Sequence, residues 1–133
     1  MALGNVLVVD DEADIRKMVK MTLTKAGYNV IDAEDGEKGI AAVKSGGGFA
    51  LSVIICDLAM PKVSGMEAIA YFRSQYPSVP VIVLSGTGTV DKASALFKQG
   101  VVEFLAKPVE PEKLIAAVHK AVKESGYKDD HTT

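Results

Sequence analysis

Apolar and polar positions follow two rhythms along the chain. Short unbroken apolar runs are each followed by a longer segment in which apolar residues recur every three or four positions. The first run covers residues 5–10. Asp11 or Glu12 then opens a segment with Ile15, Met18, Val19, Thr22, Leu23 and Ala26 at helical spacing, and Gly27 stops it. Residues 28–33, with Val30 and Ile31, form a second run, and Asp35-Gly36 turns the chain into a helix over 37–45 carrying Ile40, Ala41 and Val43. A third run spans 51–57. The helix after it enters between Pro61 and Gly65, carries Met66, Ile69, Ala70 and Phe72, and ends near Tyr76-Pro77. A strand over 80–85, a helix over roughly 89–99 stopped by Gly100, and a strand over 102–106 continue the alternation. Pro108 and Pro111 lead into a last helix with Leu114, Ile115, Val118, Ala121 and Val122.

Strict alternation of strands and helices, with strands apolar throughout, predicts a parallel sheet covered on both faces. The five units define a doubly wound α/β domain. In such a sheet all strand carboxyl ends lie at one edge, where ligands bind. The residues that close the runs are therefore gathered there: Asp10 and Asp11 after the first strand, Asp57 after the third, Ser85 at the end of the fourth, Lys107 after the fifth. The Gly46-Gly47-Gly48 triplet invites a phosphate-loop reading, but it lies between a helix and a strand. That puts it at the opposite edge, as a connector.

Composition narrows the picture. At 133 residues one domain is expected, and a net charge of −2 with no basic stripe argues against direct nucleic-acid binding. The single Cys56 excludes an internal disulfide and reads as a small buried apolar residue of the third strand. The start, Met1-Ala2-Leu3-Gly4-Asn5, has no positive region, and its apolar stretch ends at Asp10, too short for a signal peptide or a membrane span. Residues 126–133 are polar and aperiodic.

Three carboxylates supply hard oxygen ligands for Mg²⁺, and a carboxylate is also a nucleophile toward phosphorus. The obstacle is charge, because each like-charge pair at about 4 Å costs roughly 4 kcal/mol at an effective dielectric near 20. A divalent cation and Lys107 are the charges that offset it, while Ser85 and backbone amides can donate to phosphoryl oxygens. Singly, each residue has a plainer reading: Asp11 or Glu12 as a helix cap, Ser85 as a turn residue before Gly86, Lys107 as solvated surface. Their convergence on one edge favours the chemical reading.

Val8-Val9-Asp10-Asp11-Glu12, Cys56-Asp57-Leu58-Ala59-Met60-Pro61 with Gly65-Met66-Glu67, Leu84-Ser85-Gly86 and Phe104-Leu105-Ala106-Lys107-Pro108 resemble the receiver domain of two-component response regulators. The resemblance spans residue 5 to about 124, with four motifs in order. It implies a flavodoxin-like sheet of order 2-1-3-4-5 with five helices, a receiver over residues 1–125 and a polar tail or linker stub over 126–133. It further implies that Asp57 is the phosphoacceptor, that Asp10, Asp11, Asp57 and the backbone carbonyl of Ala59 hold Mg²⁺, and that Ser85 and Lys107 contact the phosphoryl group. The Lys107-Pro108 bond is expected to be cis. Phe104 fills an aromatic switch position often held by tyrosine, so any switch with Ser85 is an apolar one; core packing is its other reading. Ala59 and Thr87 flank the expected approach of water. Ile15 and Met18 match positions that dock a histidine-bearing partner, although their spacing also fits the core. His119 and His131 read as surface residues.

The implied partners are a sensor histidine kinase or histidine phosphotransfer protein upstream and a protein target downstream, in the cytoplasm, with no direct nucleic-acid or membrane contact. The readout surface is expected on helix four, strand five and helix five, near Lys92, Lys98, Gln99, Val101, Val102 and Glu103, on a monomer or a phosphorylation-dependent dimer. The resemblance also implies a domain that catalyses its own phosphorylation and dephosphorylation rather than a conventional enzyme. The chain is expected to carry no output domain, as a stand-alone regulator, a relay intermediate or a receiver fragment of a longer regulator. A haloacid-dehalogenase-type phosphatase would want Asp-x-Asp where this chain has Asp10-Asp11-Glu12. A flavodoxin-like electron carrier would place a phosphate loop where three acids stand, and a pseudo-receiver would have lost the acceptor or the lysine.

Overall fold

A computed structural model of the protein describes residues 2–45, 50–60, 64–86 and 90–132, without the side chains of 45, 90–92 and 125–132. The glycine triplet, Pro61 and Thr87 lie outside the described residues, as do the side chains of Lys92 and His131. The expected elements form in the expected order: β1 (Asn5–Val9), α1 (Ala13–Lys25), β2 (Asn29–Ala33), α2 (Gly36–Ser45), β3 (Val53–Cys56), α3 (Gly65–Gln75), β4 (Val81–Ser85), α4 (Val90–Lys98), β5 (Val101–Ala106) and α5 (Pro111–Thr132). Helix α5 runs on to Thr132, through most of the stretch expected as a polar tail.

The five strands make one parallel sheet of order β2-β1-β3-β4-β5. The three central strands are built almost wholly from buried aliphatic residues, as a sheet covered on both faces requires. Their side chains alternate between two cores. Leu7, Val9, Ile54, Cys56, Val81 and Val83 pack with Ile69 and Phe72 of α3 and Leu96 of α4. Val6, Val8, Val53, Ile55, Ile82 and Leu84 pack with Val19 and Leu23 of α1 and Leu114 and Val118 of α5.

Local sequence sets where helices start and stop. Ser64 caps α3 by accepting the Glu67 amide at 3.2 Å, and its hydroxyl donates to the Glu67 carboxylate at 3.3 Å, so this one pair closes the first turn. Gly27 and Gly100, at φ 105° and 103°, end α1 and α4 in the left-handed region. The pairing of β5 with β4 is irregular: Val81 faces Val101, but Ile82 faces Glu103, leaving Val102 as an extra residue.

Gly65 is required by proximity. A Cβ there would sit 2.1 Å from the Asp57 carbonyl oxygen and 2.3 Å from Leu58 Cα, both backbone atoms. The start of α3 is thus pressed directly against the segment that carries Asp57. Gly65→Ala is expected to destabilise the domain by about 3 kcal/mol, the upper end of overpacking costs. Urea unfolding, with midpoint and slope compared to wild type, measures it.

Candidate functional site at the carboxyl edge of the sheet

The strand ladder delivers the site. Beyond the assigned strands, the Asp10 amide donates to Ala33 O (3.1 Å), the Asp57 amide to Val9 O (2.9 Å) and the Lys107 amide to Ser85 O (2.8 Å). Asp10, Asp57, Ser85 and Lys107 are therefore held in register at one edge by backbone bonds. Asp10, Asp57 and Ser85 are buried, at 1%, 3% and 1% exposure. The Lys107-Pro108 bond is cis.

Lys107 reaches back over this edge. Its Nζ lies 2.7 Å from Glu12 Oε1, 2.8 Å from Asp10 Oδ2 and 3.3 Å from Asp57 Oδ2. The contacts with Glu12 and Asp57 are hydrogen bonds. The approach to Asp10 Oδ2 is close but badly directed, so that buried oxygen has an ion pair and no hydrogen bond. The other oxygens are occupied: Asp10 Oδ1 accepts the Glu12 amide (2.9 Å), and Asp57 Oδ1 accepts the Ala59 amide (3.3 Å). Behind the site, Arg16 Nη1 donates to the Asp10 carbonyl (2.8 Å) while its Nε pairs with Asp32 (3.2 Å), which fixes the turn after β1.

Ligand oxygens of Asp10, Asp11, Glu12 and Asp57 all lie within 4.8 Å of one another. Four carboxylates face one ammonium, an excess of negative charge that a divalent cation neutralises. The donor set is hard oxygen, suited to Mg²⁺, and Asp10 Oδ2 is a buried acceptor with no hydrogen bond to lose. Burial holds the Asp10 carboxyl above its usual range; Lys107 and the Glu12 amide oppose this, and Asp57 adds to it. For Lys107, burial works against the charge, but the contacts with Asp10 and Glu12 outweigh it and the ammonium stays protonated well beyond its ordinary range. The Cys56 thiol is pushed far up by burial, then by the charges of Asp57 and Asp10.

Some expected residues take other places. Glu12, read as a cap, sits at the N-cap position of α1 yet makes no side-chain cap bond. Val101 is buried, so it does not belong to the expected outer surface; Val102 is 45% exposed and Phe97, not foreseen, 48%. Phe104 is half-buried against the core that contains Leu96 and Val101. Ile15 and Met18 are partly buried against the α1/α5 core. His119 is exposed on α5, with its Nδ1 bonded to the Tyr28 hydroxyl. Among the described residues no helix is long and apolar enough to cross a membrane.

Comparison with known proteins agrees with this geometry. The family model of the response regulator receiver domain matches residues 6–119. The chemotaxis protein CheY of Thermotoga maritima is 33% identical over 119 residues, 89% of this chain and 97% of CheY. The transcriptional regulatory protein GlrR of Escherichia coli is 33% identical over 127 residues, 96% of this chain. The chain spans 28% of GlrR and 58% of the regulator FixJ of Bradyrhizobium diazoefficiens. Among solved structures, a response regulator receiver domain protein from Clostridium thermocellum superposes with a TM-score of 0.88 at 32% identity, covering 94% of this chain and 98% of that one. The chain belongs to the response regulator receiver domain family of two-component signalling. Receiver domains of this family generally bind Mg²⁺ at an acidic pocket.

The raised Asp10 group sets a sign for stability. Its folded value lies above the ordinary 3.8, so the folded state binds the proton more tightly and stability falls as pH rises through that window. At neutral pH without metal, Asp10→Asn should therefore melt higher than wild type by roughly 4 °C, about 1 kcal/mol for a domain of this size. The gap should narrow in acid. Thermal melts over a pH series in EDTA check both the sign and the trend.

Proposed function

We propose that the protein accepts a phosphoryl group on Asp57 from the phosphohistidine of a sensor histidine kinase or histidine phosphotransfer protein, in the cytoplasm where ATP charges such kinases. The carrying observation is the placement of the Lys107 ammonium 3.3 Å from the buried Asp57 carboxylate, inside a group of four carboxylates. One Asp57 carboxylate oxygen forms the new P–O bond while the P–N bond breaks and its electron pair leaves with the imidazole. Burial strips water from the nucleophile, and Lys107, which stays charged, offsets like-charge repulsion without exchanging a proton. Asp10, Asp11, Asp57 and the Ala59 carbonyl would hold Mg²⁺, which when bound neutralises charge on the phosphoryl oxygens. Hydrolysis by water then returns the carboxylate and inorganic phosphate.

The same reading gives the output. Ser85 pairs with Ala106 and Val83 with Phe104 across the β4–β5 ladder, so a pull on Ser85 acts beside Phe104. Ser85 moving toward the phosphoryl group lets Phe104 turn inward and changes the face of α4, β5 and α5. That face exposes Phe97, Lys98, Gln99 and Val102, with Glu103 half-buried. It suits a protein target, or a second copy in a phosphorylation-dependent dimer. Coupling of about 1–3 kcal/mol between phosphorylation and target binding is typical of such switches.

Incubation with acetyl phosphate and Mg²⁺ should add one phosphoryl group by intact mass, and EDTA should suppress it. Asp57→Asn should abolish labelling; stoichiometric labelling of that variant would move the acceptor elsewhere. Mg²⁺ should raise the melting temperature of wild type and leave Asp10→Asn nearly unmoved. Ser85→Ala should still label but lose most of the beryllofluoride-induced shifts in α4 and β5, read by amide NMR. Full shifts in that variant would remove Ser85 from the coupling.

A further inference from the structure

Glu12 breaks a local rule. It occupies the N-cap position of α1 with extended backbone (φ −88°, ψ 111°), yet its side chain caps nothing. Glutamate is not among the favoured cap residues, and a Ser, Thr, Asp or Asn here would bond the open amides of the first turn. The carboxylate instead bonds Lys107, 95 residues away, at 2.7 Å, the shortest of the three carboxylate contacts of that ammonium. It is also the most accessible: the Glu12 side chain is 58% exposed, against 1% for Asp10 and 4% for Asp57.

An ammonium has three N–H donors and no more. In the resting site the carboxylates of Glu12, Asp10 and Asp57 surround it. Glu12 and Asp57 take two of those donors and the Asp10 ion pair crowds the third, so a phosphoryl oxygen arriving on Asp57 displaces the carboxylate that costs least to release. Releasing Asp10 or Asp57 would strand a buried charge, whereas Glu12 swings into water and is resolvated. We infer that Glu12 is a positioning residue, the releasable counter-ion that holds Lys107 at the mouth of the site until a phosphoryl group takes its place. This rests on the reading of Asp57 as acceptor. Two consequences of opposite sign follow. As a fourth negative charge near the ligand oxygens, Glu12 strengthens binding of a divalent cation. As a competitor for Lys107, it weakens binding of the phosphoryl group.

The experiment uses the intact chain with Mg²⁺ and beryllofluoride as probes. Glu12→Gln should bind Mg²⁺ roughly two- to fivefold more weakly by calorimetry, and at saturating Mg²⁺ should bind beryllofluoride tighter by a similar factor. Glu12→Asp keeps the charge near the site but is one methylene shorter and able to cap the open amides of α1, both of which draw it away from Lys107. It should return Mg²⁺ affinity to wild type while beryllofluoride stays tighter. In metal-free protein, the Lys107 ammonium ¹⁵N resonance should move in both variants. A merely loosened site would weaken both ligands together, and that result, no change in either, or an unmoved Lys107 resonance would overturn the role of Glu12. Asp57→Asn serves as control: if beryllofluoride binds it as tightly as wild type, the acceptor reading itself falls, whatever the Glu12 variants do.

Discussion

Everything at the carboxyl edge depends on one ammonium standing among four carboxylates. Like charges at such distances repel by several kcal/mol per pair unless something of opposite sign is held among them. Lys107 is that charge, and it is delivered by the strand farthest from β1 on its side of the sheet. The constraint explains why the scaffold is so rigid just here. Two aliphatic cores clamp the central strands, ladder bonds continue past the strand ends, and α3 begins in backbone contact with the Asp57 segment. A softer scaffold would relax by spreading the acids apart.

Much of this was legible in the sequence because the governing signals are local. Unbroken aliphatic runs mark buried parallel strands, and the first polar residue after each run marks the edge, so Asp10, Asp57, Ser85 and Lys107 could be picked out without coordinates. Strand order could not. Apolar runs say which segments are strands but not which are neighbours, and the order 2-1-3-4-5 came only through family resemblance. Glu12 was missed for the converse reason. Its position beside a helix start offers an ordinary local explanation, while its actual partner lies 95 residues away. Val101 was placed outward together with Val102 and Glu103 for its nearness to α4, whereas in the structure it packs inward with Leu96 and only Val102 of the pair stands out.

The site also separates two kinds of polar group. Asp10 and Asp57 are fixed by burial and amide hydrogen bonds, so their geometry is set by folding. Asp11 and Glu12 are exposed and can answer to whatever enters. A receiver needs both kinds, a rigid part to define where chemistry occurs and a yielding part to accommodate a change of charge.

The irregularity in β5 has a further meaning as a problem of measurement. A strand is a ruler with divisions of about 3.3 Å whose odd and even marks point to opposite faces. Counted without the extra residue, Leu105 would stand opposite Ser85, and the residue taking up the bond to the Ser85 carbonyl would be Ala106. Inserting one division advances the count, so that Ala106 faces Ser85 and Lys107 takes that bond. The error corrected is one whole division, as long as the longest of the contacts Lys107 makes with its carboxylates. Val102, exposed near the start of β5, thus sets the calibration by which the lysine beyond its far end arrives at the right mark, facing the right way.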